Sequence, residues 1–100
     1  MTDPELRALL VQELVRHLAI FRGEAPQSDP QAAYRSAHAL KGAAGLAGEG
    51  ELSARLARFE RRLREGDHAA LPEVSALVER AIDRLRAGEA GAPAAWPEPP

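Results

Sequence analysis

His38, Lys41 and Gly42 fall within a single helical turn, and Glu60 follows on the next segment able to form a helix. Residues three and four apart share a helix face, so Lys41 and Gly42 lie one turn beyond the His38 imidazole. A cation and a missing side chain therefore flank the ring. Glycine inside a helix costs about 0.5–1 kcal/mol relative to alanine, through backbone entropy and lost packing. Gly42 and Gly45 nonetheless stand here, which implies that something bulky approaches the backbone beside His38. The constellation reads as an exposed, nucleophilic histidine.

Four helices must position these residues. Asp3-Pro4 and Asp29-Pro30 each pair an N-cap with proline at the first helical position, where its missing N–H costs nothing. The first helix carries Leu6, Leu10, Leu14, Leu18 and Phe21 as a stripe, broadened by Leu9, Val11 and Val15, and stops near Gly23. The second, expected from Pro30 to Ala47, has Ala33, Ala37, Leu40, Ala44 and Ala47 as its apolar face. His38 lies about 200° around from Leu40 at 100° per residue, away from that stripe. The third, from Gly50 to Glu65, turns Leu52, Leu56, Phe59 and Leu63 inward and ends at Gly66. The fourth begins between Asp67 and Glu73, because Pro72 fits only in a first turn, and carries Val74, Leu77, Val78, Ala81, Ile82 and Leu85. Short connections make neighbouring helices antiparallel. The expected architecture is an all-α, up-down-up-down antiparallel four-helix bundle over residues 1–87. Residues 88–100, rich in proline and alanine and containing Trp96, read as a disordered linker or tail in which a fifth helix is disfavoured.

Composition narrows the functional classes. One hundred residues, 45% apolar and 28% charged, make one small domain with one core. The absence of cysteine removes disulfides, thiolate chemistry and cysteine-based zinc sites, and suits a reducing, cytoplasmic compartment. No apolar run is long enough to span a bilayer, and no signal peptide opens the chain. A formal net charge of −2 gives no case for nucleic-acid binding. The histidines and carboxylates lack metal-ligand spacing, and no nucleotide-binding loop is present.

The stretch AYRSAHALKGAAGLAG resembles the signature of histidine phosphotransfer (HPt) domains: His, two residues, Lys-Gly, then a glycine six residues on. His38, Lys41, Gly42 and Gly48 match without a gap, and the helix count and order extend the resemblance over residues 4 to 87. It is nearest to the N-terminal phosphotransfer domain of CheA-type chemotaxis kinases, in which a glutamate on the following helix hydrogen-bonds the phosphorylated histidine. Glu60 stands at the matching position, twenty-two residues after His38.

The resemblance implies a phosphoryl carrier. His38 would receive phosphate from a histidine kinase catalytic domain and surrender it to an aspartate of a response-regulator receiver domain. Mg-ATP would belong to the kinase and magnesium to the receiver, with no cofactor in this domain. An ordinary imidazole is largely neutral at pH 7, so activation is mainly a matter of tautomer. If Glu60 accepts from Nδ1–H, the lone pair is placed on Nε2. Lys41 would then stabilise phosphoryl charge, and Gly42 and Gly45 would give a partner access. A monomeric domain is expected, either free-standing or part of a larger CheA-like kinase.

Other residues admit plainer readings. His17 borders the core stripe and His68 sits in a turn, both structural. Glu60 has an alternative partner in Arg64 at i+4, as Glu51 has in Arg55. The basic run from Arg55 to Arg64 is read as a solvated face rather than a dock for an acidic partner. The competing class of function is a non-catalytic HPt-like scaffold that keeps the bundle without using the histidine.

Overall fold

A computed structural model describes residues 4–26 and 29–88. Four α-helices follow in order: α1 (Pro4–Phe21), α2 (Pro30–Leu46), α3 (Gly50–Arg64) and α4 (Ala70–Arg86). The connections are eight, three and five residues long, within the range that joins antiparallel neighbours in helical bundles. Successive helices are therefore antiparallel. α2 packs most extensively on α3, α1 packs on both α2 and α4, and α3 meets α4 more lightly. That pairing closes the four helices into a bundle, as the apolar periodicity anticipates.

Local signals account for the helix limits. Asp29, in extended backbone, accepts a hydrogen bond from the Ala32 N–H at 2.6 Å and so caps α2, with proline following in the first turn. At the other end Gly48 adopts φ +80°, a conformation that side chains resist, and the Glu49 N–H returns to the Ala44 carbonyl at 2.8 Å. The last glycine of the motif thus works as a helix stop. The Asp3 cap and the tail from residue 89 onward, including Trp96, lie outside the described residues.

Leu10, Leu14, Leu18 and Phe21 of α1 meet Ala33, Ala37, Leu40, Ala44 and Ala47 of the α2 segment in a single core. Leu52, Leu56 and Leu63 from α3 and the Val74 to Leu85 stripe of α4 complete it, while Leu6, Val11 and Phe59 pack at its edge. Two residues assigned to the α1 stripe depart from it: Leu9 and Val15 are exposed. At 100° per residue they fall on opposite flanks, beyond the arc that two neighbouring helices can cover. The small side chains of α2 bring its backbone close to α3. There the Ser53 hydroxyl donates to the Lys41 carbonyl at 2.9 Å.

Polar clasps join the helices outside the core. Arg62 of α3 donates to Asp67 at 2.8 Å and to both carboxylate oxygens of Glu73 at 3.1 and 2.8 Å, with its guanidinium over the Phe59 ring. This fixes the α3–α4 turn. Arg22 pairs with Glu79 between α1 and α4. His17 is hydrogen-bonded to the buried Ser36 hydroxyl at 2.8 Å, tying α1 to α2. Burial pushes the His17 imidazole below its ordinary pKa, as befits a histidine at the core edge. No helix among the described residues is long and apolar enough to cross a membrane.

Candidate functional site

The α2 stripe that buries Ala37 and Leu40 turns His38 outward, and its side chain is 63% exposed. Antiparallel α3 brings Glu60 alongside. Glu60 lies at the edge of the Leu56, Phe59 and Leu63 face, close enough to the core for its side chain to be only 14% exposed. Its Oε1 is 3.1 Å from His38 Nδ1, and its Oε2 is 2.7 Å from Lys41 Nζ. One carboxylate therefore spans two residues of α2 that are three apart. The expected alternative, an ion pair along α3 between Glu60 and Arg64, is displaced by this bridge across the helices. The other intrahelical pair does form, with Arg55 Nε at 3.2 Å from Glu51.

The cations around Glu60 determine its charge. The hydrogen bond from Lys41 lowers its pKa most, His38 adds to that effect, and desolvation opposes both. The carboxylate stays ionised below the usual range of a glutamate and can only accept hydrogen bonds. His38 Nδ1 must accordingly carry the proton and donate it to Oε1. In the neutral imidazole the lone pair is then left on Nε2, the other ring nitrogen.

This shift also links stability to acid. Because the native pKa of Glu60 is depressed, its contribution is complete above the ordinary glutamate range near pH 4.5 and disappears as pH falls through the native value. In thermal melts between pH 6 and pH 3, Glu60→Gln should lose less stability on acidification than wild type. Parallel acid limbs would count against the Lys41–Glu60–His38 bridge as a source of that shift.

Gly42 is exposed one turn beyond His38, and a Cβ built there meets no atom within 4 Å. Packing inside the bundle does not require this glycine. Gly45 differs, since its Cβ would lie 3.6 Å from the Ser53 hydroxyl, at ordinary contact distance with α3. An alanine would fit there, so the α2–α3 approach does not require this glycine either. Lys41, expected beside an incoming phosphoryl group, is ion-paired with the far oxygen of Glu60, one turn from the imidazole.

Two neighbours were not singled out from the sequence. Tyr34 is half-buried one turn before His38, and their rings are 6.4 Å apart at 33°. The i−4 aromatic was the available signal. Ser53 offered less, because a serine in a first helical turn looks like ordinary capping chemistry until α2 is placed beside it. His68 is exposed in the turn before α4, away from this constellation in sequence and element. Among the described residues no group of three His, Asp or Glu side chains has the arrangement of a metal site.

An exposed imidazole with one nitrogen committed to a carboxylate can accept an electrophile on the other. Comparison with known families agrees with that chemistry: a family model described as the Hpt domain matches residues 5–88. No curated protein and no solved structure gives a significant match.

Proposed function

The chain belongs to the Hpt domain family, histidine phosphotransfer modules of two-component signalling, and on that premise we propose that His38 is the residue that carries the phosphoryl group. The Nδ1–Glu60 hydrogen bond is the observation that supports this reading, because it assigns the tautomer an attacking imidazole needs. The Nε2 lone pair attacks phosphorus, and the bond from phosphorus to the donor's leaving oxygen breaks with its electron pair going to that oxygen. Positive charge developing on the ring is offset by Glu60, which keeps the Nδ1 proton in place.

In the onward step a carboxylate oxygen of a receiver aspartate attacks phosphorus, and the Nε2–P electron pair returns to the ring. The donor is a histidine kinase catalytic domain, which brings Mg-ATP, and the acceptor is a response-regulator receiver domain, which brings magnesium. Lys41 holds the far oxygen of Glu60 and places a cation one turn from the reacting nitrogen. Exposed Gly42 gives the partner's active site room to close over His38. Glu60, twenty-two residues after the histidine on the next helix, favours the CheA type, and with it a chemosensory relay in the cytoplasm.

The test is to incubate the protein with Mg-ATP and a histidine kinase catalytic domain, with phosphoramidate as a small donor in parallel, and to map the product. Acid-labile, base-stable phosphate on His38 Nε2 is expected. Folded protein left unlabelled by both donors, or labelled elsewhere, would favour the scaffold reading.

A further inference from the structure

The hydrogen bond to Glu60 fixes one atom of the His38 ring and leaves the orientation of the ring to another contact. Side chains on a helix lean toward its N-terminus, so the imidazole lies over the turn that holds Tyr34 and Arg35, and a side chain at position 42 would lie over the imidazole. Tyr34 fills the first of these places. Its ring centroid is 6.4 Å from that of His38, with the planes inclined at 33°. That separation is inside the range of about 4.5–7 Å over which aromatic rings interact. The other flank of the imidazole is open, because Gly42 has no side chain to lay over it. His38 therefore has an aromatic wall on one side and free space on the other.

A wall restrains the imidazole only if it is itself held. Tyr34 is half-buried and packs on the edge of the core. Seven residues separate it from Lys41, so the two lie about 20° apart around α2 at 100° per residue. Lys41 marks the flank that meets α3, since Ser53 donates to its carbonyl and Glu60 pairs with its ammonium group. Tyr34 thus stands where the core edge and the α3 side both restrict its ring, and an aromatic side chain has only two torsions to restrict. Arg35, the i−3 neighbour of His38, is exposed on a long stem and offers no comparable surface.

Resting on the assignment of His38 as phosphoryl carrier, we propose that Tyr34 is a positioning residue for this histidine. Its ring holds the imidazole in one rotamer and so keeps Nε2 in place for attack. Glu60 selects the nitrogen, and Tyr34 sets where that nitrogen stands. Tyr34 acts through the imidazole and forms no bond to phosphorus. The ring face supplies the restraint, so phenylalanine preserves it and an aliphatic side chain does not.

The experiment compares wild type with Tyr34→Leu, which keeps an apolar group at the core edge, and with Tyr34→Phe, which keeps the ring. Circular dichroism melts establish that each is folded. Three-bond couplings between the His38 α- and β-protons report whether a single rotamer is populated, and phosphoramidate reports the reactivity of the imidazole without a protein partner. Wild type should show the couplings of one rotamer. In Tyr34→Leu they should move toward rotational averages, with labelling about 2–10-fold slower, the range that one aromatic contact can supply. Tyr34→Phe should recover most of both.

A residue that only packed the core would lower the melting temperature in Tyr34→Leu and leave couplings and labelling of the folded protein at their wild-type values, a result that would overturn the proposal. Tyr34→Phe as slow as Tyr34→Leu would also overturn it, by moving the effect from the ring to the hydroxyl. Wild type left unlabelled by phosphoramidate would remove the phosphoryl-carrier reading instead, and the couplings would still decide whether Tyr34 holds the ring.

Discussion

Replacing His38 by glutamine will abolish phosphate acceptance, and replacing Glu60 by glutamine will slow it about 10–100-fold while the bundle remains folded. His38 is exposed, so its removal takes away a nucleophile and no core contact. For Glu60 the size of the effect follows from one hydrogen bond. A bond to a charged group contributes about 1.5–3 kcal/mol, and its strengthening as the ring gains positive charge gives roughly that factor in rate. Glutamine keeps the shape, but its amide can present either an oxygen or an N–H to Nδ1. The tautomer is then no longer dictated, and the charge that offsets the developing imidazolium is gone.

The distinguishing readout is the response to a small donor. If Glu60 acts on the imidazole, phosphoramidate labelling slows along with labelling by the kinase, and KM for the kinase changes little. If Glu60 only shaped a docking surface, the small donor would react at its wild-type rate. Lys41→Met supplies an intermediate case: it removes the cation from Oε2 but leaves Oε1 opposite Nδ1. A defect milder than that of Glu60→Gln is expected, because Lys41 reaches the ring chiefly through the carboxylate.

How much of this was legible in the sequence depends on the range of the interaction concerned. Asp29-Pro30 announced α2 because an N-cap and an N-terminal proline are local chemistry, and the alanine stripe announced which face it buries. The outward direction of His38 followed from those two facts. Glu60 as a partner came from its match to the family pattern; on its own helix it had an equally good neighbour in Arg64. Choosing between them required the α2–α3 separation, which the buried small side chains Ala37 and Ala44 make short. Lys41 was legible as a cation on the right face, whereas its commitment to Glu60 was not. That pairing depends on where the carboxylate stands between two helices.

Leu9 and Val15 illustrate the opposite limit. Periodicity counts apolar residues without knowing how wide an arc the neighbours cover, and both fall outside it. Gly48 and Gly42 belong to one motif but answer to different demands. The first is required by a positive φ at a helix end, and the second has no requirement inside the bundle at all.

That difference makes Gly42 the position where fold and function should part most clearly. In an exposed helix interior, alanine in place of glycine gains about 0.5–1 kcal/mol, and the open space around the Gly42 Cβ position removes any steric charge against it. Gly42→Ala should therefore melt about 2–8 °C higher than wild type. Gly42→Gln, also a better helix former than glycine, should be at least as stable as wild type while projecting a long side chain beside His38. A partner that must bring its phosphoryl group to Nε2 then meets an obstacle it cannot repack, and overpacking at a fitted contact costs about 1–3 kcal/mol, or roughly 5–150-fold in transfer. Phosphoramidate, small enough to approach from the open side, should still label the histidine. The pairing of a higher melting temperature with slower transfer is the signature of a glycine kept for access. A bundle that served only as a scaffold would gain stability from the same substitutions and lose nothing, so unchanged transfer in Gly42→Gln would remove access as the reason for this glycine.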